Sequence, residues 1–219
     1  MIQLADVSKA FMTGGLRRVV ADRINLTLPA EGAVALIGRN GAGKSSLLKL
    51  ISGTMQPDSG RITVDGSVSW PVGFAGSFHG DLSGRQNTRF VARVYGIDTD
   101  ALETFVFEFS DLKSQFHQPF RTYSSGMKAR LAFAVSMGID FDTYLIDEVT
   151  SVGDAAFRKK SEELLAERLG YRAAVVVSHS MPLLQRICRS AIMLENGHAQ
   201  WFDCVDDAIR AHRECMKTA

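Results

Sequence analysis

Apolar residues fall along the chain in two rhythms. Short β-type runs stand at 2–7 (IQLADV), 24–28 (INLTL), 33–37 (AVALI) and 61–65 (RITVD), punctuated by Gly, Pro and Asp as strands joined by turns are. From about residue 85 to 138 helix-type patterns dominate, and Asp100 with Glu103 has the spacing of a helix-start capping pair ahead of ALETFVFEF. Continuous apolar runs return at 143–146 (TYLI) and 173–177 (AAVVV), separated by a polar helical stretch. Such runs, lacking alternation, belong to strands buried on both faces and hence to a parallel sheet covered by helices. The pattern predicts an α/β core over about 1–84 and 139–219, interrupted by a helical insertion at about 85–138, with no internal repeat or flexible linker.

Composition narrows the partners. The chain has 219 residues, enough to bury a sizeable core. With 25 Lys and Arg against 24 Asp and Glu, its net charge of +1 gives no electrostatic ground for a nucleic-acid partner. The three cysteines, Cys188, Cys204 and Cys215, form no CxxC pair and predict neither a disulfide framework nor a zinc site. The start, MIQLADVSKAF, carries no signal-peptide pattern. No apolar stretch approaches the ~20 residues of a membrane span, so a membrane role is expected to come through a partner.

The run AVALI leads into GRNGAGKSS, residues 38–46, and then into the helical pattern LLKLISG. Gly38, Gly43, Lys44 and Ser45 fit the P-loop pattern G-x-x-x-x-G-K-[ST] in the strand–loop–helix context its chemistry requires. Glycines let the backbone amides of Gly38, Arg39, Asn40, Gly41, Ala42 and Gly43 curl around phosphates, and the helix start at Lys44, Ser45 and Ser46 favours negative charge. Lys44 is expected to reach the β- and γ-phosphates and the Ser45 hydroxyl to ligate Mg²⁺. A P-loop alone does not separate a small-molecule kinase, a GTPase and an ATPase.

Two further strand ends add chemistry. YLIDE closes with Asp147, which fits the residue holding the magnesium largely through water, and Glu148, placed to polarise an attacking water. AAVVVSHS carries His179 just past its strand, at the end of the sheet where open α/β folds bind ligands, in reach of a γ-phosphate or that water. The plainer readings are a turn or cap for the acids and a structural histidine; the preceding P-loop favours the functional ones.

YSSGM at 123–127, followed by KARLAFAVSM, resembles the signature sequence of ABC-type ATPases, whose commonest form is LSGGQ; Ser124 and Gly126 match its serine and second glycine. In that family the signature faces the γ-phosphate bound by the P-loop of a second copy, so the resemblance implies a head-to-tail homodimer closed over ATP and Mg²⁺. EVTSVGD resembles the segment after the catalytic acid that ends in an aspartate reaching across the dimer, here Asp154. Phe11 resembles the aromatic that stacks on adenine; a core phenylalanine is the alternative. The implied fold is an α/β ABC ATPase with a parallel-sheet RecA-like lobe, an N-terminal antiparallel β region and a helical insertion lobe.

Departures from the family are Met127 for the signature glutamine, Gly153 for the D-loop leucine, and no glutamine at a convincing position before the insertion, where His79 and Gln86 are the nearest candidates. SWPVGF, FHGDLSGRQN and DEVTSVGD resemble the ATPase subunits of bacterial capsular-polysaccharide exporters, with related exporters of O-antigen and teichoic acid sharing parts of the pattern. The end at residue 219, without the carbohydrate-binding domain of some O-antigen exporters, favours the capsule branch. The resemblance implies work at the cytoplasmic face of the bacterial inner membrane, through an integral-membrane permease, with the polysaccharide met only indirectly. Residues 70–95 would form part of the groove receiving the permease, Trp70 and Phe78 either anchoring it or packing in their own core. A soluble ABC ATPase and a metabolite kinase are the rival classes. Plain readings are given to Arg17 with Arg18 and Lys159 with Lys160 as solvated charges, to Met137, Met181 and Met193 as core fillers, and to His117, His198 and His212, which lie in no ligand spacing.

Overall fold

The computed structural model describes residues 1–74, 76, 78–147 and 154–217, without the side chains of Thr13 and Lys217. In chain order the elements are β1 (Ile2–Thr13), β2 (Leu16–Leu28), β3 (Gly32–Ile37), α1 (Lys44–Ile51), β4 (Ser59–Val64), β5 (Val68–Val72), α2 (Gly84–Tyr95), α3 (Thr99–Ser110), α4 (Ser125–Gly138), β6 (Thr143–Asp147), α5 (Ala155–Leu169), β7 (Ala173–Val177), α6 (Met181–Ile187), β8 (Cys188–Glu195), β9 (His198–Phe202) and α7 (Val205–Lys217). They divide into two compact units, one drawn from residues 1–71, 141–148 and 166–219, the other from 72–140 and 149–165.

The first unit holds two sheets. A six-stranded sheet has the order β5-β6-β7-β3-β8-β9, in which β6, β7, β3 and β8 run parallel and β9 returns antiparallel. Its central strands are the ones the sequence marks as unbroken apolar runs: all five residues of β7 and the last five of β3 are buried. The other sheet, β2-β1-β4, is antiparallel. Here the strands outrun their apolar signal, since β1 and β2 form a hairpin reaching Thr13 and Leu16. The first four residues of β2 are exposed, so no buried face marks that extension in the sequence. Ile2, Leu4, Val7 and Leu28 from the hairpin, Leu36 from β3 and Leu47, Leu48 and Ile51 from α1 share one buried cluster.

In the helical unit, α2 begins with a complete capping box: the Ser83 hydroxyl accepts from Gln86 N at 3.1 Å, and the Gln86 side-chain oxygen accepts from Ser83 N at 2.8 Å. The expected cap of α3 is corrected. Asp98 is the N-cap, its Oδ1 accepting from Asp100 N and Ala101 N at 2.9 Å each, while Asp100 already lies inside the helix. Asp100 and Glu103 instead both pair with Arg89, at 2.8 and 2.7 Å, and Arg85 joins Glu103 at 2.6 Å, tying α2 to α3. Lys160 is corrected as well: its ammonium donates to the carbonyls of Glu108 and Phe109 at 3.2 Å each, closing the C-terminal turn of α3, where a cation is favoured. Buried Asn87 clamps the loop before α2, accepting from His79 N at 2.9 Å and donating to the His79, Leu82 and Ser83 carbonyls. Met137 and Met193 are buried, Met181 partly so.

Candidate functional site

The turn from β3 into α1 is built around close approach. A side chain at Gly38 would strike the carbonyl oxygen of Leu194 in β8, so the chain leaves the sheet there only as glycine. Gly43, with φ of +106°, stands at the N-cap of α1; a Cβ on it would come within 2.9 Å of the Val20 Cβ in the hairpin. Between them Ala42 N donates to Arg39 O at 3.0 Å, folding the loop on itself. Lys44 turns its ammonium back over this loop, donating to the carbonyls of Gly38 at 2.8 Å and Arg39 at 3.1 Å. The first turn of α1 has no side-chain cap, and its leading N–H groups have no intrahelical partner. A concave loop of glycines, an ammonium and the positive end of a helix together fit a phosphate chain.

The hairpin covers this loop. Phe11 and Arg18 stand directly opposite each other in β1 and β2, so their side chains leave the same face. Arg18 donates through Nη2 to the Gly41 carbonyl oxygen, and Val20, two residues along the same strand, packs against Gly43. Phe11 thus lies on the hairpin face turned to the loop. Its ring is half-buried, outside the core, with the Lys9 ammonium 5.8 Å from its centre. The reading of Arg18 as a solvated charge is therefore corrected, because its guanidinium is fastened to the phosphate loop.

Asp147 is the last residue of β6, in register with Val177, the last of β7; His179 follows two residues later and is exposed. Since β6, β7 and β3 are adjacent and parallel, Asp147, His179 and the glycine loop gather at the carboxyl ends of neighbouring strands. Glu148 lies outside the described residues, as do Gly153 and the rest of 148–153. No local pattern marks His212, which α7 brings beside this loop from the far end of the chain. His212 lines a cavity of about 350 Å³ with Arg18, Arg39, Asn40, Gly41 and Glu195. Burial, then the positive charges of Lys44 and Arg39 against the opposing Glu195, holds its imidazole below the ordinary histidine range.

In the helical unit the YSSGM stretch divides into an anchor and an exposed edge. Tyr123 is buried and its hydroxyl donates to Gln115 O at 2.7 Å. Ser124, exposed, is the N-cap of α4, its hydroxyl accepting from Met127 N at 3.2 Å. Gly126 has no neighbour closer than 4.0 Å to where a Cβ would stand, leaving the helix start open to approach. Asp154 is engaged within its own chain: Oδ1 accepts from Phe157 N at 2.9 Å and Oδ2 pairs with Arg130 at 2.7 Å. The Phe157 amide, then Arg130, holds its carboxyl below the usual range.

Gln86 spends its side-chain oxygen in the capping box, and His79 Nδ1 accepts from Asp81 N at 3.3 Å. Trp70 and Phe78 are both half-buried: Trp70 meets Phe141 edge-on at 5.6 Å, and Phe78 meets Phe120 at 5.3 Å, so each has a packing neighbour while keeping part of its surface exposed. The exposed apolar side chains of that stretch are others, chiefly Phe90 and Val94, one turn apart on α2. None of the three cysteines is joined in a disulfide, and burial pushes the Cys188 thiol up to about 12.

A parallel sheet whose P-loop lies beneath an antiparallel hairpin, with a helical unit carrying a serine-capped helix start, defines an ATP-binding-cassette fold. Residues 21–151 match the ABC transporter family, and the chain belongs to it. It is 42% identical over 217 residues to the ATP-binding protein BexA of Haemophilus influenzae, covering 99% of this chain and 100% of that protein. With the capsule polysaccharide export ATP-binding protein CtrD of Neisseria meningitidis serogroup B it shares 43% over 208 residues, 95% of this chain and 96% of that one. An O-antigen export system ATP-binding protein of Klebsiella pneumoniae is more distant, at 34% identity over 92% of this chain and 84% of that protein. Among solved structures, the ATP-binding subunit of an ABC transporter superposes with a TM-score of 0.81 at 22% identity, over 96% of this chain and 92% of that one. A dimeric ATP-binding cassette in a post-hydrolysis state bound to ADP and Pi gives 0.79 at 18%, over 94% and 99%. These two likenesses establish the fold.

Proposed function

We propose that this chain is the ATP-binding and ATP-hydrolysing subunit of a transporter that exports capsular polysaccharide across the bacterial inner membrane. The observation carrying this reading is the likeness, over nearly the whole of both chains, to the capsule export ATP-binding protein named above. The O-antigen and teichoic-acid reading rests on more distant relatives, at 34% and 32% identity.

In this reading the amides of residues 38–46 and the Lys44 ammonium hold the phosphates of ATP, and Phe11 stacks on the base. Ser45, the second residue of α1, and Asp147, at the end of β6, offer a hydroxyl and a carboxylate. Such hard oxygen donors suit Mg²⁺, which is commonly held by one or two carboxylates together with substrate phosphates. When bound, the ion neutralises charge that builds up between phosphates as the terminal one departs. Glu148 takes the proton of the attacking water and His179 orients that water or the γ-phosphate. Ser124 and Gly126 serve the ATP held by a second copy, and Asp154 lies at that same boundary. Among the described residues no helix is long and apolar enough to cross a membrane. Passage of the polymer is therefore assigned to a separate membrane subunit, with this chain held at its cytoplasmic face.

Deleting the gene should leave polymer of the capsular type accumulated inside the cell, with export restored by the wild-type gene. Normal surface capsule in the deletion strain, with a different polymer or none retained, would contradict the proposed substrate.

A further inference from the structure

The charged side chains of the hairpin are not alike. Lys9 pairs with Asp58 at 2.6 Å, and Arg23 with Asp22 at 3.5 Å. Arg18, exposed and pointing to the glycine loop, has no carboxylate partner among the described residues; it donates instead to the neutral carbonyl of Gly41. A guanidinium has five donors in a planar fork, and its bonds to anionic oxygens are about twice as strong as those to neutral acceptors. Its position is also specific. Arg18 lies directly across the strand pair from Phe11 on one side and bonds the phosphate loop on the other. A nucleotide whose base lies on Phe11 and whose terminal phosphates lie in the loop must pass its ribose and first phosphate between these two points.

Resting on the function proposed above, we propose that Arg18 is a nucleotide-binding residue, exchanging its bond to the Gly41 carbonyl for one to the base-proximal α-phosphate of ATP or ADP. The exchange replaces a neutral acceptor with an anionic one and frees the loop carbonyl. Arg39 lines the same cavity and adds a second guanidinium beside the loop, while Glu195 is the carboxylate among the lining residues. A competing role is that of a brace, in which Arg18 only fixes the shape of the loop.

Equilibrium binding of ATP and of pyrophosphate to the full chain, both with EDTA present so that no ATP is hydrolysed, separates the two. Pyrophosphate stands for the two terminal phosphates held by the loop and Lys44, whereas ATP also carries the phosphate next to the nucleoside. Arg18→Gln is expected to weaken ATP by about 10- to 100-fold, as for loss of a hydrogen bond to a charged group, with Arg18→Lys recovering part of it. Pyrophosphate affinity should change by no more than about twofold, the size of a screened long-range charge effect. Equal losses for both ligands would overturn the proposal in favour of the brace, and an unchanged ATP affinity would overturn it outright. Wild-type chain that binds pyrophosphate but no nucleotide would remove the function proposed above as well.

Discussion

Lys44→Ala is expected to cut ATP hydrolysis at saturating MgATP by about 100-fold or more, the size of effect seen when one preorganised donor to developing charge is removed. The reason lies in where the ammonium stands. It is half-buried, folded over the loop, and held by the carbonyls of Gly38 and Arg39 at 2.8 and 3.1 Å. Those carbonyls line the path on which a phosphate would lie, so the charge is delivered to the loop before any ligand arrives and needs little reorganisation. Removing it leaves the loop backbone intact, because the loop's own turn, Ala42 N to Arg39 O, and the first helical bond, Leu47 N to Gly43 O, do not involve the side chain. The thermal midpoint should therefore stay near the wild-type value while phosphate release, measured by a coupled assay, is lost. Turnover within threefold of wild type would remove Lys44 from its role.

Glu148→Gln should lower turnover by about 10²- to 10⁴-fold, the contribution of a positioned general base, while leaving ATP binding within a few-fold of wild type. The substitution keeps the shape of the side chain and removes its basicity, so a proton leaving the attacking water has no acceptor there. Phosphate and metal contacts are assigned to Lys44, Ser45 and Asp147, none of which changes. Bound but unhydrolysed ATP is then expected to hold two copies together, visible as a dimer by size-exclusion chromatography with light scattering in the presence of MgATP. Unchanged hydrolysis would place the base elsewhere.

How far the sequence reaches depends on how local each feature is. The P-loop was legible because strand, loop and helix are contiguous, and the buried runs of β3 and β7 announce a parallel sheet without any partner being known. Arg18 was not legible. Its neighbour Gly41 lies 23 positions along the chain, and only the folding of the hairpin over the loop brings the two together. Lys160 misled for the same reason, since the helix end it closes belongs to residues 51 and 52 positions earlier.

The start of α3 shows a different limit. Asp98 and Asp100 are both acceptable caps by residue type, and the choice falls to Asp98 because its backbone is still non-helical, φ −57° and ψ 116°, where the helix begins. Strands β8 and β9 also escaped notice, although Ala191 to Leu194 are buried, because a short apolar run flanked by polar residues does not distinguish strand from helix. For Ser124 the sequence pointed to a helix start facing an anion, and the fold supplies the exposed cap and the open space at Gly126 that such a role needs.

The account turns on two copies completing each other's sites, and mixing two disabled variants tests it most directly. Lys44→Ala removes the ammonium proposed to hold phosphate while leaving the loop backbone in place, and Ser124→Arg is chosen to block the helix start proposed to serve the opposite copy. Each alone should be inactive. Mixed, they form a heterodimer in which the intact loop of the Ser124→Arg copy faces the intact Ser124 of the Lys44→Ala copy. The account predicts that the mixture recovers a measurable fraction of wild-type ATP hydrolysis. Activity no greater than the sum of the two variants measured separately, in a mixture shown to contain heterodimer, would contradict it.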